Sequence, residues 1–417
     1  MTITAPETAA ARDRGIDPDG ARLEASVTAA VEARRHELVA LSHAIGEDPE
    51  LAFEEHRAAE RVAVALEANG FDVTRGAYGL PTAVEGVYGT GDVTVAVVSE
   101  YDALPGVGHG CGHNLIAAAG VGAAIGLRAV ADELGIRVKL LGSPAEELGG
   151  GKILMLREGA WNDTTFSLMV HGGGADQYRT APMTTMALER IIVRFTGVPA
   201  HAAAGPHEGV NAGDAATLTQ VALGLLRQQL KRGTVLSSFV RNAGEAANII
   251  PAHAELEIEM RSGNAEDWAV VRRRVRECLA GAAQATGCTL EIELPELPYG
   301  VLKQDERLAE HFDDVLRELG YEVKDLPDGP QGSTDMADVS QYLPAIHPMI
   351  SIRGIDANTP GHSPEYAALA RTPEADVAVI DGAIGLALAA VRVAADPEHR
   401  AELIAAQAVR GPFAWED

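Results

Sequence analysis

Apolar residues recur at helical spacing over residues 21–45, and Gly46 ends the run. A second helical pattern covers residues 55–69 and stops at Gly70. Residues 93–99 are a short β-branched run that predicts a buried strand, and residues 115–134 an Ala-rich helix. Further strands are predicted at 138–141 and 166–170. Strands alternating with helices over the first ~185 residues imply an α/β unit with a mixed, mostly parallel sheet.

From residue 186 to about 297 the pattern changes. Residues 188–196 (LERIIVRFT) alternate apolar and polar positions, as a half-exposed antiparallel strand does. A helix follows at 212–230, then strands at 235–241 and 254–260, a helix at 265–286 and a strand at 289–294. Strand, helix, two strands, helix, strand is the order of a small α+β, ferredoxin-like sandwich. A helix at 305–319, a strand at 349–353 and a long Ala-rich helix at 373–395 return to the first texture. The simplest account is one discontinuous domain, residues 1–185 and 301–417, interrupted by an inserted unit at 186–300. The alternating strand at 188–196 is the expected free edge for sheet extension across a two-fold axis.

Charge narrows the partners. With 60 acidic and 34 basic residues the formal net charge is −26, which repels nucleic-acid phosphates and anionic lipid. Neither nucleic acid nor membrane is an expected partner. The longest uncharged apolar run, residues 115–127, is shorter than the roughly 20 residues a membrane span needs. The first residues (MTITAPETAAARDRG) carry early charges and no apolar segment, so no signal peptide and a cytoplasmic location are expected. Three cysteines are too few for a disulfide framework; Cys278 and Cys288 read as buried small hydrophobes, while Cys111 lies between two histidines.

Candidate chemistry gathers at strand ends. The run at 93–99 leads into Glu100, Tyr101 and Asp102, the strand at 138–141 into Glu146 and Glu147, and that at 166–170 into His171 and three glycines. The late strand leads to His362. In open α/β sheets ligands bind beyond the carboxyl ends of the strands, so these residues can converge. In His109-Gly-Cys111-Gly-His113-Asn114 a thiolate and an imidazole two residues apart can reach one or two metal ions. The same residues also fit a tight glycine turn, a Cys111 nucleophile activated by His113, or a structural zinc site, the last weakened by the lack of a second cysteine pair. Of the carboxylates Glu146 and Glu147, one can bind metal while its neighbour acts as base toward water. The glycines at 149–151 and 172–174 would either let backbone pass close to the site or simply make the loops flexible.

In order along the chain, Glu100-Tyr-Asp-Ala-Leu-Pro105, the HGCGHN segment, Glu146-Glu147, His171-Gly172, Gly332-Ser-Thr-Asp335 and Pro360-Gly-His362-Ser363 resemble the M20 metallopeptidases. So do the lid segments at 197–202 and 206–212, and the resemblance spans roughly residues 25–395. The branch it favours carries a Cys-Gly-His metal motif and includes hippurate hydrolase-like aminoacylases, p-aminobenzoyl-glutamate hydrolases and M20-domain dipeptidases. The resemblance implies two divalent ions, Zn²⁺ or Mn²⁺, held by Cys111, His113, Glu147, His171 and His362. It implies Glu146 as general base, and His201 on a lid and dimerisation domain as an oxyanion donor in the partner's cleft of a homodimer. It also implies Asn248 and Arg261 as substrate-binding residues, the arginine for a carboxylate. The expected reaction is hydrolysis of an amide bond in a small dipeptide or N-acyl or aminobenzoyl amino acid. Asn114 and Ile116 stand where many aminoacylases of the branch have Asp and His, which disfavours a plain hippurate-type enzyme. A non-catalytic binding protein on the same fold is the alternative from another class.

Overall fold

A computed structural model describes residues 18–326 and 332–413, and the N-terminal stretch on which the signal-peptide expectation rests lies outside them. The described residues cluster into two compact units. One holds those up to Met183, from Lys303 to residue 326 and from Val339 onward; the other holds Thr184–Leu302 and Gly332–Asp338.

The first unit is built on a six-stranded sheet in the order Asp72–Arg75, Val84–Tyr88, Ile136–Ser143, Val93–Glu100, Phe166–Leu168, Ala345–Ile346. The last four strands are mutually parallel and the first two join antiparallel, giving a mixed, mostly parallel sheet. Every residue of Val93–Glu100 is buried, so the strand shows no alternation. The antiparallel strands at Asp72–Arg75 and Val84–Tyr88 have no counterpart in the sequence reading: the first is four residues long and largely exposed, so no apolar periodicity marks it.

The single helix expected at 21–45 is two, Pro18–Ala33 and Arg35–Gly46, broken at Arg34, whose Nε donates to Asn69 Oδ1 at 3.0 Å. The break lets Val27 and Val31 of one helix and Leu38 and Ile45 of the next enter the same core. The strand expected at 349–353 shrinks to Met349–Ile350, paired with His171–Gly172. The helices His113–Leu134 and Pro373–Ala395 are long and apolar enough to cross a membrane, more so than the run at 115–127 suggests. Yet 89% of the apolar window of each is buried inside the protein. They pack on one another through small residues: a Cβ on Gly122 would lie 2.8 Å from Ala383 Cβ.

The second unit is a four-stranded antiparallel sheet, in the order Thr289–Glu293, Ala187–Thr196, His253–Ser262, Thr234–Asn242, with the helices Ala212–Arg227 and Ala265–Thr286. Ile191, Val193 and Phe195 share its core with Leu256, Ile258 and Met260. Their alternates Arg190, Arg194, Glu255 and Glu259 pair across the strands on the other face. The Asn211 and Asn264 side chains cap the two helices by accepting from the second and third backbone N–H beyond them. The expected free edge is corrected here: the strand containing residues 188–196 is paired on both sides, and the sheet edges are Thr289–Glu293 and Thr234–Asn242. Local alternation marks a half-buried strand, but it carries no information on how many neighbours that strand has.

Candidate metal centre

The parallel strands aim their carboxyl ends at one place. Val93–Glu100 delivers Glu100 and Asp102, Ile136–Ser143 runs into the turn that carries Glu146 and Glu147, and Phe166–Leu168 leads to His171. His113 opens the helix His113–Leu134, entered through Gly112 at φ 75°, a left-handed conformation that a side chain would strain. The helix therefore begins two residues before the apolar pattern does. His362 is exposed and also left-handed (φ 57°), its N–H donating to Gly110 O at 2.9 Å.

The first unit brings together all six of its predicted site residues. Donor atoms of Cys111, His113 and His171 lie within 4.8 Å of one another, as do those of Cys111, Glu147 and His362, and those of His113, Glu146 and Glu147. Sharing of Cys111, His113 and Glu147 between groups describes adjoining cation positions. The tautomers suit them. His113 Nδ1 donates to Asp102 O at 2.8 Å, and His171 Nδ1 donates to Gly172 O at 2.8 Å, which leaves each Nε2 as the nitrogen open to a cation. His113 Nε2 is fully buried without a hydrogen-bond partner, 3.8 Å from Glu147 Oε1 and 3.9 Å from Glu146 Oε2. Buried imidazole, thiol and carboxylate donors with an orphaned ring nitrogen among them fit divalent metal, and the mix of N, S and O suits a borderline ion.

Asp102 ties two of these residues together. Its carboxylate lies 3.1 Å from His113 Nδ1 and accepts from Glu147 N at 2.9 Å. Burial opposes its ionisation, but the charge and hydrogen bond of His113 hold the Asp102 carboxyl below the usual range. Burial, then the Glu147 carboxylate, pushes the Cys111 thiol far up, and the charges that act on it most are carboxylates. That is the opposite of the electropositive setting a metal-free thiolate nucleophile needs. A dication would reverse the balance and deprotonate the thiol.

Four contributors escaped the sequence reading or were given no role in it. Asp102 and Glu100 stand at a strand end and in the Glu100–Pro105 segment, but nothing in the sequence gives either a role. Glu55 is buried and accepts from Phe53 N and Ala145 N, both at 2.9 Å, which pins the turn before Glu146. His347 is buried with neither ring nitrogen hydrogen-bonded, its ring centroid 5.6 Å from that of His171. Burial lowers its pKa to about 3, so it is neutral. Its only sequence signal is a histidine before a proline at a strand start. The Asn114 departure also has a physical reading: its amide donates to Ser42 Oγ and Ala370 O, 2.9 Å each, and is spent on packing.

The remaining predicted residues lie in the second unit. His201 and Asn248 are exposed neighbours, joined by a bridge between His201 and Ile249 and by Ala202 N donating to Asn248 O at 3.0 Å. His201 Nδ1 accepts from Ala203 N and Ala204 N at 3.2 Å each, so its proton sits on Nε2. Arg261 is half-buried on His253–Ser262, its Nε donating to Glu259 at 2.8 Å.

The family model described as Peptidase family M20/M25/M40 matches residues 96–379, which include every one of these positions except Glu55. The chain belongs to this family. Among M20 relatives, Xaa-Arg dipeptidase of Mus musculus is 37% identical over 377 residues, 86% of each chain. A p-aminobenzoyl-glutamate hydrolase chain of Escherichia coli is 34% identical over 283 residues, 63% of this chain and 58% of that one. Among solved structures, a putative aminohydrolase from methicillin-resistant Staphylococcus aureus shares the fold with a TM-score of 0.74 at 18% identity, covering 88% of this chain and 99% of that one. The Bacillus subtilis YXEP protein, a dinuclear metal-binding M20 peptidase, matches with a TM-score of 0.61 at 21% identity, covering 84% and 98%. The protein is thus an M20 metallo-hydrolase of amide or peptide bonds.

Proposed function

We propose that this M20 hydrolase cleaves dipeptides, or N-acyl or aminobenzoyl amino acids, using two divalent ions, Zn²⁺ or Mn²⁺. The observation that carries the reading is the pair of histidines, His113 and His171, whose Nδ1 protons are engaged and whose Nε2 atoms are left as donors beside Cys111 and the two glutamates. Cys111, His113, Glu147, His171 and His362 would hold the ions. When bound, they supply Lewis acidity to the scissile carbonyl and lower the pKa of water.

Glu146 is the buried carboxylate left over from ligation. It takes a proton from water as the water oxygen adds to the carbonyl carbon, then passes that proton to the amine nitrogen as the C–N bond breaks. His201, protonated on Nε2, has the tautomer that donates to an oxyanion. Arg261 keeps its terminal guanidinium nitrogens for a substrate carboxylate, and Asn248 adjoins His201. Dipeptides come first among the substrates: the relatives include a dipeptidase, and Asn114 and Ile116, both wholly buried, leave the aminoacylase pattern unmet. A homodimer would bring His201 to the partner's site, and the exposed Val235, Phe239 and Val240 on an edge strand of the second unit support that association.

The test is Glu146→Gln. It should keep the bound metal and the fold and lose roughly 10²–10⁴-fold in turnover on the best dipeptide found by screening. Metal analysis alongside Glu147→Gln checks the assignment: if Glu146→Gln sheds metal and Glu147→Gln does not, base and ligand are reversed.

A further inference from the structure

Glu100 ends the wholly buried strand Val93–Glu100 and has no exposed surface of its own. Its Oε2 lies 2.6 Å from Nζ of Lys152, a lysine with no exposed surface, at the start of the helix Gly151–Arg157. Its other oxygen, Oε1, has no hydrogen-bond partner, yet it stands 3.3 Å from His113 Nε2, which has none either. The His113 Nδ1 proton is held by Asp102, so Nε2 is the ring nitrogen that a cation at the centre would take. Oε1 of Glu100 stands beside that nitrogen, at a separation that two ligands of one ion can share.

We propose that Glu100 is a further carboxylate donor of the metal centre, offering Oε1 alongside His113 Nε2, and that Lys152 is the positioning residue that holds its other oxygen. The inference rests on the reading of the site as a metal centre. Lys152 gives Glu100 a single free oxygen, so it can bind a cation through one atom only. The ammonium also offsets one of the four carboxylates, Glu100, Asp102, Glu146 and Glu147, that crowd the site. Lys152 follows the Glu146-Glu147 turn directly, and its bond to Glu100 joins that turn to the end of the neighbouring strand.

The experiment strips the full-length protein of metal and titrates it with Zn²⁺ by calorimetry in a competing chelator. Glu100→Gln alone would take from the buried Lys152 the carboxylate 2.6 Å away, so the deciding variant is Glu100→Gln/Lys152→Met, which removes both charges. It should bind Zn²⁺ at one site at least about tenfold more weakly than wild type. Wild-type affinity and stoichiometry in a folded double variant would overturn the inference and leave the metal-centre reading standing, whereas failure of the wild type to bind Zn²⁺ would overturn that reading itself. Should the double variant not fold, Lys152→Met decides. Its Glu100 then leans more heavily on the cation for compensation, so Zn²⁺ should raise its Tm by more than it raises the wild-type Tm. An equal rise overturns the inference.

Discussion

The Glu55 carboxylate accepts from two backbone N–H groups, those of Phe53 and Ala145, and its Oε2 is left without a partner. Burial pushes its pKa up to about 7. An acid whose folded-state value is raised holds its proton to higher pH than the unfolded chain does. Its contribution to stability is therefore complete below about 4.5 and is lost as pH rises through about 7. Glu55→Gln keeps the acceptor and cannot ionise. In metal-free protein its urea-unfolding free energy should gain up to about 2 kcal/mol on wild type between pH 5 and pH 7; parallel pH profiles would count against the assignment. At this scale the sequence discloses residues whose own chemistry is distinctive, such as Cys111, His113 and the Glu146-Glu147 pair. It is silent on Glu55 and His347, whose importance lies in what long-range folding places beside them. Asn114 is the reverse case: conspicuous in the motif, yet its amide is committed to Ser42 and Ala370.

Among elements, the choice between close approach and mere flexibility is answered position by position within the two glycine runs. A Cβ on Gly151 would lie 1.8 Å from Pro144 O, so the turn that holds Glu146 and Glu147 closes only around glycine. Gly174, beyond His171, has nothing within 4 Å of its added Cβ and no left-handed backbone. Gly151→Ala should destabilise the fold by about 1–3 kcal/mol and weaken metal binding, while Gly174→Ala should leave both unchanged. Thermal melts with and without Zn²⁺ distinguish them, and a silent Gly151→Ala would show that the turn has slack. The long helices and the buried strand at Val93–Glu100 are legible because each repeats one signal over many residues. The strand pair at Asp72–Arg75 and Val84–Tyr88 is too short for periodicity. The break at Arg34 comes where its side chain bonds an asparagine 35 residues away, a contact that local periodicity does not register.

For the molecule as a whole, the prediction concerns action across subunits. If His201 serves the partner's site, mixing inactive Glu146→Gln with inactive His201→Ala under conditions of subunit exchange restores activity, because one cleft of the heterodimer then has both groups intact. Loss of the His201 donor alone should cost roughly 10²–10³-fold in turnover. Exchange demonstrated by light scattering or labelled protomers, with no activity regained, would refute action in trans. The element order of the second unit can be read from its alternating strands, but the pairing order cannot. Residues 188–196 look like an edge because their outward face carries Arg190 and Arg194, which instead pair with glutamates on the neighbouring strands.

Phe53, Ala145 and His362 all adopt left-handed backbone without being glycine, at φ 63°, 56° and 57°. Each such residue stores about 1–3 kcal/mol of strain, and all three border the metal centre or the Glu55 clamp that supports it. An engineer raising the melting temperature would find Ala145→Gly attractive, since it relieves strain at the loss of a single buried methyl. The same change would slacken the turn immediately before Glu146. Heat resistance and turnover are therefore opposed at these few positions, and a hardier variant that keeps its activity has to be sought elsewhere in the chain.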